Sequence, residues 1–140
     1  MWVMKPTRAS SACWHHVALV YYQELNAVQI YLDGEEFGSA YDIGSAINNS
    51  TENVKVGENF YGIIDEIRIS DTPRYLTTTT VPTLPFTCDA NTRALWHFDE
   101  YEGATVFHDS CGTDNVLVGY YGAHTEGIPA RKTYLPCILK

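Results

Sequence analysis

The sequence has almost no helical signal. No stretch of about 11 or more residues repeats apolar positions at the three-and-four spacing of an amphipathic helix, which excludes a helical bundle. No apolar run approaches the ~20 residues of a helical membrane span. The opening residues 1–8, Met-Trp-Val-Met-Lys-Pro-Thr-Arg, lack the apolar stretch of a secretory signal. Positive charge is scarce: 9 Lys and Arg stand against 17 Asp and Glu, a formal net charge of -8. Binding to phosphate backbones needs a basic stripe, and none is visible, so nucleic acid is excluded as a partner. An anionic membrane surface is excluded for the same reason. The carboxylate excess serves solubility, and it also suits a bound cation or a neutral ligand such as sugar. None of the four cysteines, Cys13, Cys88, Cys111 and Cys137, forms a C-x-x-C pair, which argues against a zinc knuckle or a thioredoxin-type site. Four cysteines admit three full pairings, and free buried thiols are an equal alternative. Cys88 and Cys111 flank one strand-like run and make the best single pair.

What is present reads as strand. The chain has 140 residues, 45% of them hydrophobic and 19% charged, enough for one globular domain over 1–140. Trp14-His-His-Val-Ala-Leu-Val-Tyr-Tyr22 is rich in β-branched and aromatic residues. Ala27-Val-Gln-Ile-Tyr-Leu32 alternates, with Val28, Ile30 and Leu32 on the expected apolar face, and Asp33-Gly34 follows as a tight-turn signal. Val54-Lys-Val-Gly57 is a short candidate. Residues 62–70 alternate Ile63, Asp65, Ile67 and Ile69 against Ile64, Glu66 and Arg68. The stretch 72–85 then breaks the pattern with Pro73, Pro82, Pro85 and a threonine run. Proline does not suit central strands, so residues 72–90 are expected to be an extended connector crossing the surface. Beyond it come Thr92-Arg-Ala-Leu-Trp-His-Phe98, Ala104-Thr-Val-Phe-His108, Asn115-Val-Leu-Val-Gly-Tyr-Tyr121 and Lys132-Thr-Tyr-Leu-Pro-Cys-Ile-Leu139. With Trp2-Val3, this makes about nine short strands separated by turns, the pattern of a sandwich or jelly roll. Residues 62–70 and 92–98 are expected to be central strands. Val17, Leu19, Ile30, Ile67, Leu95, Trp96 and Trp14 are expected in the core.

Several of these stretches resemble laminin-G-like jelly-roll domains of the concanavalin-A-like family. Trp14-His-His-Val-Ala18 resembles the W-x-H-V-A strand of that family, and Ile30-Tyr-Leu-Asp-Gly34 its lYlDG hairpin. Val56-Gly57 followed by Phe60-Tyr-Gly-Ile-Ile-Asp-Glu-Ile-Arg-Ile69 resembles the closing iG…f-x-G-x-iDEvrI pattern. Order and spacing agree from Trp14 to Arg74. Ala90-Asn-Thr-Arg-Ala-Leu-Trp-His-Phe-Asp-Glu100, Gly103 and Asp109-Ser-Cys-Gly112 are similar to the opening of such a domain. Here the opening follows the closing, as in a circular permutation or in the junction of two repeats. The resemblance implies an all-β, antiparallel two-sheet jelly-roll sandwich, a glycan-binding role, with an adhesion repeat or a degenerate glycoside hydrolase as alternatives, and an extracellular or cell-surface setting. Trp2-Val-Met-Lys-Pro-Thr7 resembles a further strand, but only a few residues separate it from Trp14. The sandwich is therefore expected to lack strands there and to expose apolar surface or an unpaired edge.

Three kinds of site follow. Glucan-hydrolysing relatives carry acids alternating along one strand, whereas Asp65 and Glu66 are neighbours and point to opposite faces of an ideal strand, which argues against an enzyme. His15 and His16 are expected to be structural on the same ground. Asp65, Asp99, Glu100 and Asp109 fall in motifs that would meet in a closed permuted sandwich, and Asp65, Asp99 and Asp109 are the candidate calcium ligands. The alternative is that they accept hydrogen bonds from backbone amides or from Arg68 and Arg93. Tyr41, Tyr61, Tyr101, Tyr120 and Tyr121 sit in or near turns and are the candidate carbohydrate-stacking residues. Asn48-Asn-Ser-Thr51 holds two overlapping glycosylation sequons, which as structure is a polar loop. A carbohydrate or protein ligand is the expected partner. A homodimer, formed by edge pairing or by exchange of the apolar terminal run Tyr134-Leu-Pro-Cys-Ile-Leu139, is expected as well. In solution the chain should give a β-type far-UV circular dichroism spectrum; a helical one would end this reading.

Overall fold

The computed structural model describes residues 1–4, 14–48, 50–75, 80–81 and 85–126. The candidate strand 132–139, the apolar run 134–139, Cys13 and Cys137 lie outside the described residues. The fold is all-β and antiparallel. Its only helical element among the described residues is a 3-10 turn, Gln23–Leu25. The strands are β1 (Trp2–Met4), β2 (Trp14–Tyr22), β3 (Ala27–Leu32), β4 (Glu35–Asp42), β5 (Ile63–Asp65), β6 (Ile67–Ser70), β7 (Thr92–Trp96), β8 (Val106–His108) and β9 (Val116–Val118). They form one five-stranded sheet in the order β4-β3-β2-β1-β5 and two pairs, β6-β7 and β8-β9. None of these sheets closes on itself. Residues 54–57 form no strand. The contacts divide the described residues into two compact units: one of Met1, residues 65–72 and 85–126, the other of residues 2–4, 14–48, 50–64, 73–75 and 80–81.

In the second of these units the sheet is laid down by local sequence. β2 and β3 pair from Val17↔Leu32 to Tyr22↔Ala27. The turn between β3 and β4 is made by Asp33 (φ 52) and Gly34 (φ 87), the double positive φ that an Asp-Gly hairpin requires. The Asp33 carboxylate accepts the His16 amide at 2.9 Å and pairs with His15 Nδ1 at 2.8 Å, so the hairpin is tied to the start of β2. His15 and His16 both have structural partners: His16 is buried, with Nε2 3.1 Å from Tyr75 Oη.

The buried face of this sheet is not the one the alternation favours. Leu19 is 67% exposed and Ile30 42% exposed, and Val17 and Trp14 are half-buried, so these four do not form the core expected of them. The buried set is His16, Val20, Ala27, Gln29 and Tyr31. The reason is what covers that face. Tyr75 packs on it with ring centroids 5.4 Å from His16 and 5.7 Å from Tyr31. The polar atoms are matched there. Tyr22 Oη hydrogen-bonds Tyr31 Oη at 2.7 Å and donates to the Tyr75 carbonyl at 3.0 Å. Gln29 Nε2 donates to the carbonyls of Ile30 and Gly38 beside a bulge in the β3-β4 ladder. Burial, with the Tyr22 hydrogen bond, pushes the Tyr31 phenol up to about 12. Tyr75 belongs to the Pro-rich stretch, as does Phe86, and both are buried. Residues 72–90 therefore do more than cross the surface: the described part carries no strand, but it supplies two aromatic anchors.

In the other unit the expected core holds. Ile67, Leu95 and Trp96 are buried, and β6 pairs with β7 from Ile67↔Trp96 to Ser70↔Thr92. Residues 62–70, however, are not one continuous strand. Glu66 has φ 53 and separates β5 from β6, which lie in different sheets. Neither piece is a central strand: β5 is the last strand of its sheet, and β6 and β7 make a pair of their own. Cys88 and Cys111 form a disulfide that closes 23 residues around β7, as their flanking positions suggest. A loop of that length confers about 3 kcal/mol through restriction of the unfolded chain. No free cysteine occurs among the described residues. Leu95 is fully buried while Val116 is 48% exposed. Leu95→Ala should therefore cost ~2–5 kcal/mol in urea unfolding, and Val116→Ala less than about 1 kcal/mol.

Candidate functional site

The candidate site residues of the unit containing β6 to β9 are positioned by two side-chain hubs. The first is Asp109. Its Oδ1 accepts the Leu95 amide at 3.1 Å and the Cys111 amide at 2.8 Å. Its Oδ2 accepts the Thr113 hydroxyl and the Asn115 side-chain amide. The Ser110 amide adds a bond to the Leu95 carbonyl, and Trp96 Nε1 donates to the Asn115 carbonyl. The Asp109-Ser-Cys-Gly turn is thus fastened to β7, with the disulfide as a covalent second tie.

The second hub is Thr125, which is buried. Its hydroxyl donates to the Tyr101 carbonyl at 2.5 Å and accepts the Ala104 amide at 3.0 Å. Its own amide and carbonyl pair with Ala104 and Gly103. β8 and β9 are antiparallel, Val106↔Val118, and the Gly119 amide extends their ladder to the Thr105 carbonyl. Residues 101–105 and 119–125 consequently share one end of this hairpin. A tight turn stands there: Tyr121 (φ 54) and Gly122 (φ 90) are its central residues, and the Ala123 amide closes it on the Tyr120 carbonyl at 3.1 Å. The turn folds back over Gly119, where an added Cβ would lie 2.2 Å from the Ala123 carbonyl oxygen, so only glycine fits.

These hubs bring Tyr101, Tyr120 and Tyr121 to the same end of the β8-β9 hairpin. All three are exposed, Tyr121 completely. A left-handed conformation is costly for a bulky aromatic residue and is kept only where surroundings impose it. The other two candidate tyrosines are in the other unit: Tyr41 on β4 and Tyr61 in the loop before β5, both exposed.

The calcium candidates do not assemble. No group of three or more His, Cys, Asp or Glu among the described residues is arranged to hold a metal ion. Asp65 is buried and Asp99 exposed, while both Asp109 oxygens are already occupied by amide and hydroxyl donors. Asp109 instead follows the alternative reading, that of a hydrogen-bond acceptor. Arg93 pairs with Asp71, and Arg68 stacks over the Phe86 ring at 4.5 Å. Glu100 accepts the His108 amide at 2.9 Å.

A pair that the sequence reading missed lies at the Glu66 kink. Glu66 is buried, accepts the Phe86 amide at 3.1 Å, and holds His97 Nδ1 at 2.9 Å. Strand alternation places Asp65 and Glu66 on opposite faces, but the positive φ at Glu66 re-aims its side chain and both carboxylates are buried. Only the pairing of β6 with β7, which sets Ile67 against Trp96, brings His97 next to Glu66.

Burial alone would raise the pKa of Asp109. The donors from Thr113, the Cys111 and Leu95 amides and Asn115 outweigh it and hold the carboxyl below its ordinary 3.8. Its folded-state pKa is depressed, so its contribution to stability is complete above pH 3.8 and is lost as pH falls through the folded value. Asp109→Asn should lower the thermal midpoint at pH 7 and flatten its decline in acid. Calcium and chelator should leave both proteins unchanged; a chelator-sensitive midpoint would return Asp109 to the list of metal ligands.

Comparison with known proteins places this geometry in a family. Residues 2–81, more than half of the chain, match the family model described as the concanavalin A-like lectin/glucanases superfamily. The match spans β1 to β6 and ends before β7 to β9. No curated protein and no solved structure matches. The W-x-H-V-A strand, the Asp-Gly hairpin and the Asp-Glu-Ile-Arg-Ile segment all lie within the match, and the chain belongs to the concanavalin A-like lectin/glucanases superfamily.

Proposed function

We propose that the chain is a non-catalytic carbohydrate-binding module whose contact residues are Tyr101, Tyr120 and Tyr121. The observation that carries the reading is the turn at Tyr121. A fully exposed aromatic residue is held left-handed in a tight turn at the open end of the β8-β9 hairpin, over a glycine that nothing else can replace, beside a second and near a third exposed tyrosine. Exposed aromatic rings stack on the apolar C–H faces of sugars, and a rigid turn presents them at small entropic cost.

The surroundings narrow the ligand. From Ala94 to Glu126 the sequence has no Lys or Arg, while it carries Asp99, Glu100, Glu102, Asp109, Asp114 and Glu126. A sulfated or uronic saccharide would be repelled, so the reading is a neutral sugar. The absence of catalysis is supported by the acids of the Asp-Glu-Ile-Arg-Ile segment. Asp65 and Glu66 are buried, and Glu66 is engaged by His97 and Phe86, whereas a glycosidase needs two carboxyl groups facing one cleft.

A glycan array should show neutral saccharides bound and sulfated ones not. Tyr101→Ala, Tyr120→Ala and Tyr121→Ala should each weaken binding by ~3- to 10-fold, equivalent to ~0.5–1.5 kcal/mol per stacked ring. A blank array over a broad library would favour an adhesion repeat that binds only protein, and turnover of β-glucans would show a glycoside hydrolase instead.

A further inference from the structure

The five-stranded sheet has a second apolar face. Cross-strand register fixes which residues share it. Val17, Leu32 and Glu35 make one row, Leu19, Ile30 and Phe37 the next, and Tyr21, Val28 and Tyr41 the third. The middle row runs straight across β2, β3 and β4 and is exposed throughout: Leu19 67%, Ile30 42%, Phe37 62%. Tyr41 in the third row is 72% exposed. Glu35, at the end of the first row, is the only charged residue of the nine.

We propose that this face is the interface of a symmetric dimer, with a second copy of the chain as its occupant. Size supports the assignment. A large aromatic side chain offers ~150–250 Å², so Phe37 and Tyr41 each expose on the order of 100–150 Å². With Leu19, Ile30 and the half-buried residues of the outer rows, the patch is on the order of 500 Å², the upper end of what monomers leave uncovered. Two such patches bury about 1,000 Å² in total, the lower limit of a specific interface.

Shape and charge support the same occupant. A sheet face with alternating side chains is broad rather than concave, unlike a small-molecule pocket. It packs best against another sheet face, about 10 Å away and with strands roughly aligned. A two-fold axis crossing the strands superposes the middle row on itself, Ile30 over Ile30. It sets the Glu35 end of one copy against the Tyr41 end of the other. The acidic residues are thereby kept apart, and each carboxylate faces a phenol that can donate to it. The contact is isologous, so it closes at two copies and leaves no free surface for a filament. Each chain supplies one layer, so that the two sheets face each other as the layers of a sandwich do.

Light scattering and sedimentation equilibrium on the full chain at micromolar concentrations test this. The wild type should show a mass near twice 15.7 kDa, falling towards the monomer on dilution. Leu19→Lys and Ile30→Lys lie on inner strands and leave the sheet edge untouched. They should give monomers with an unchanged β-type circular dichroism spectrum, whereas Tyr61→Lys, outside the three rows, should remain a dimer. Should either lysine variant fail to fold, Leu19→Ser should raise the dimer dissociation constant at least ten-fold. A wild type that stays monomeric overturns the proposal. So does a folded Leu19→Lys or Ile30→Lys chain that dimerises as well as the wild type, since association would then use the strand edge or the termini.

Discussion

Much of this structure depends on one buried carboxylate in an unfavourable backbone conformation. Glu66 sits at φ 53, a region costly for any residue with a side chain, and it is almost wholly buried. Both costs are met locally. The Phe86 amide and His97 satisfy the carboxylate, and Arg68 stacks on the Phe86 ring. Those contacts hold the Pro-rich stretch and the end of β7 around the kink. Because of the kink, a segment whose alternation suits one long strand contributes β5 to one sheet and β6 to another. A charge buried with these partners specifies the break; without them it would be among the most destabilising features of the chain.

The same economy of strand is visible elsewhere. Four of the nine strands among the described residues are three residues long, too short for ladder hydrogen bonds alone to hold them. Side chains supply what the ladders lack. Asp109 ties its turn to β7, Thr125 ties residues 101–104 to the end of the β8-β9 hairpin, and Asp33 ties the hairpin turn to β2. Each is a short polar side chain reaching backbone amides or carbonyls at a strand end, where those groups would otherwise go unsatisfied. The candidate sugar site is a by-product of this bracing, because Thr125 and Gly119 fix the loops that carry the tyrosines.

An unclosed sandwich leaves apolar area on offer. In the five-stranded sheet, Tyr75 covers one face with a hydrogen-bonded aromatic cluster, while Leu19, Ile30 and Phe37 stay exposed on the other. Antiparallel sheets tolerate a solvated face when it is polar. This one is not, and the proposed dimer would cover it. The saccharide reading and the dimer use different residues in different units, so each stands or falls by itself.

Local chemistry was legible in the sequence. The β2 and β3 strands, the Asp-Gly turn and the Cys88–Cys111 pair could be read because each rests on residues close in the chain or on a turn with one allowed geometry. The burial of Ile67, Leu95 and Trp96 was equally plain, since each is a large apolar residue in a strand-like run. The choice of face on β2 and β3 was not. Both sides carry large hydrophobic residues, and polarity pointed to Leu19 and Ile30. The core instead took His16, Gln29 and Tyr31, whose polar atoms find partners on Tyr75, Gly38 and Tyr22. The kink at Glu66 and its pairing with His97 were likewise settled only by tertiary structure. A sequence states what each residue can bond to. Which partner arrives, from 31 residues away for His97 or 59 for Tyr75, is set by how the sheets assemble.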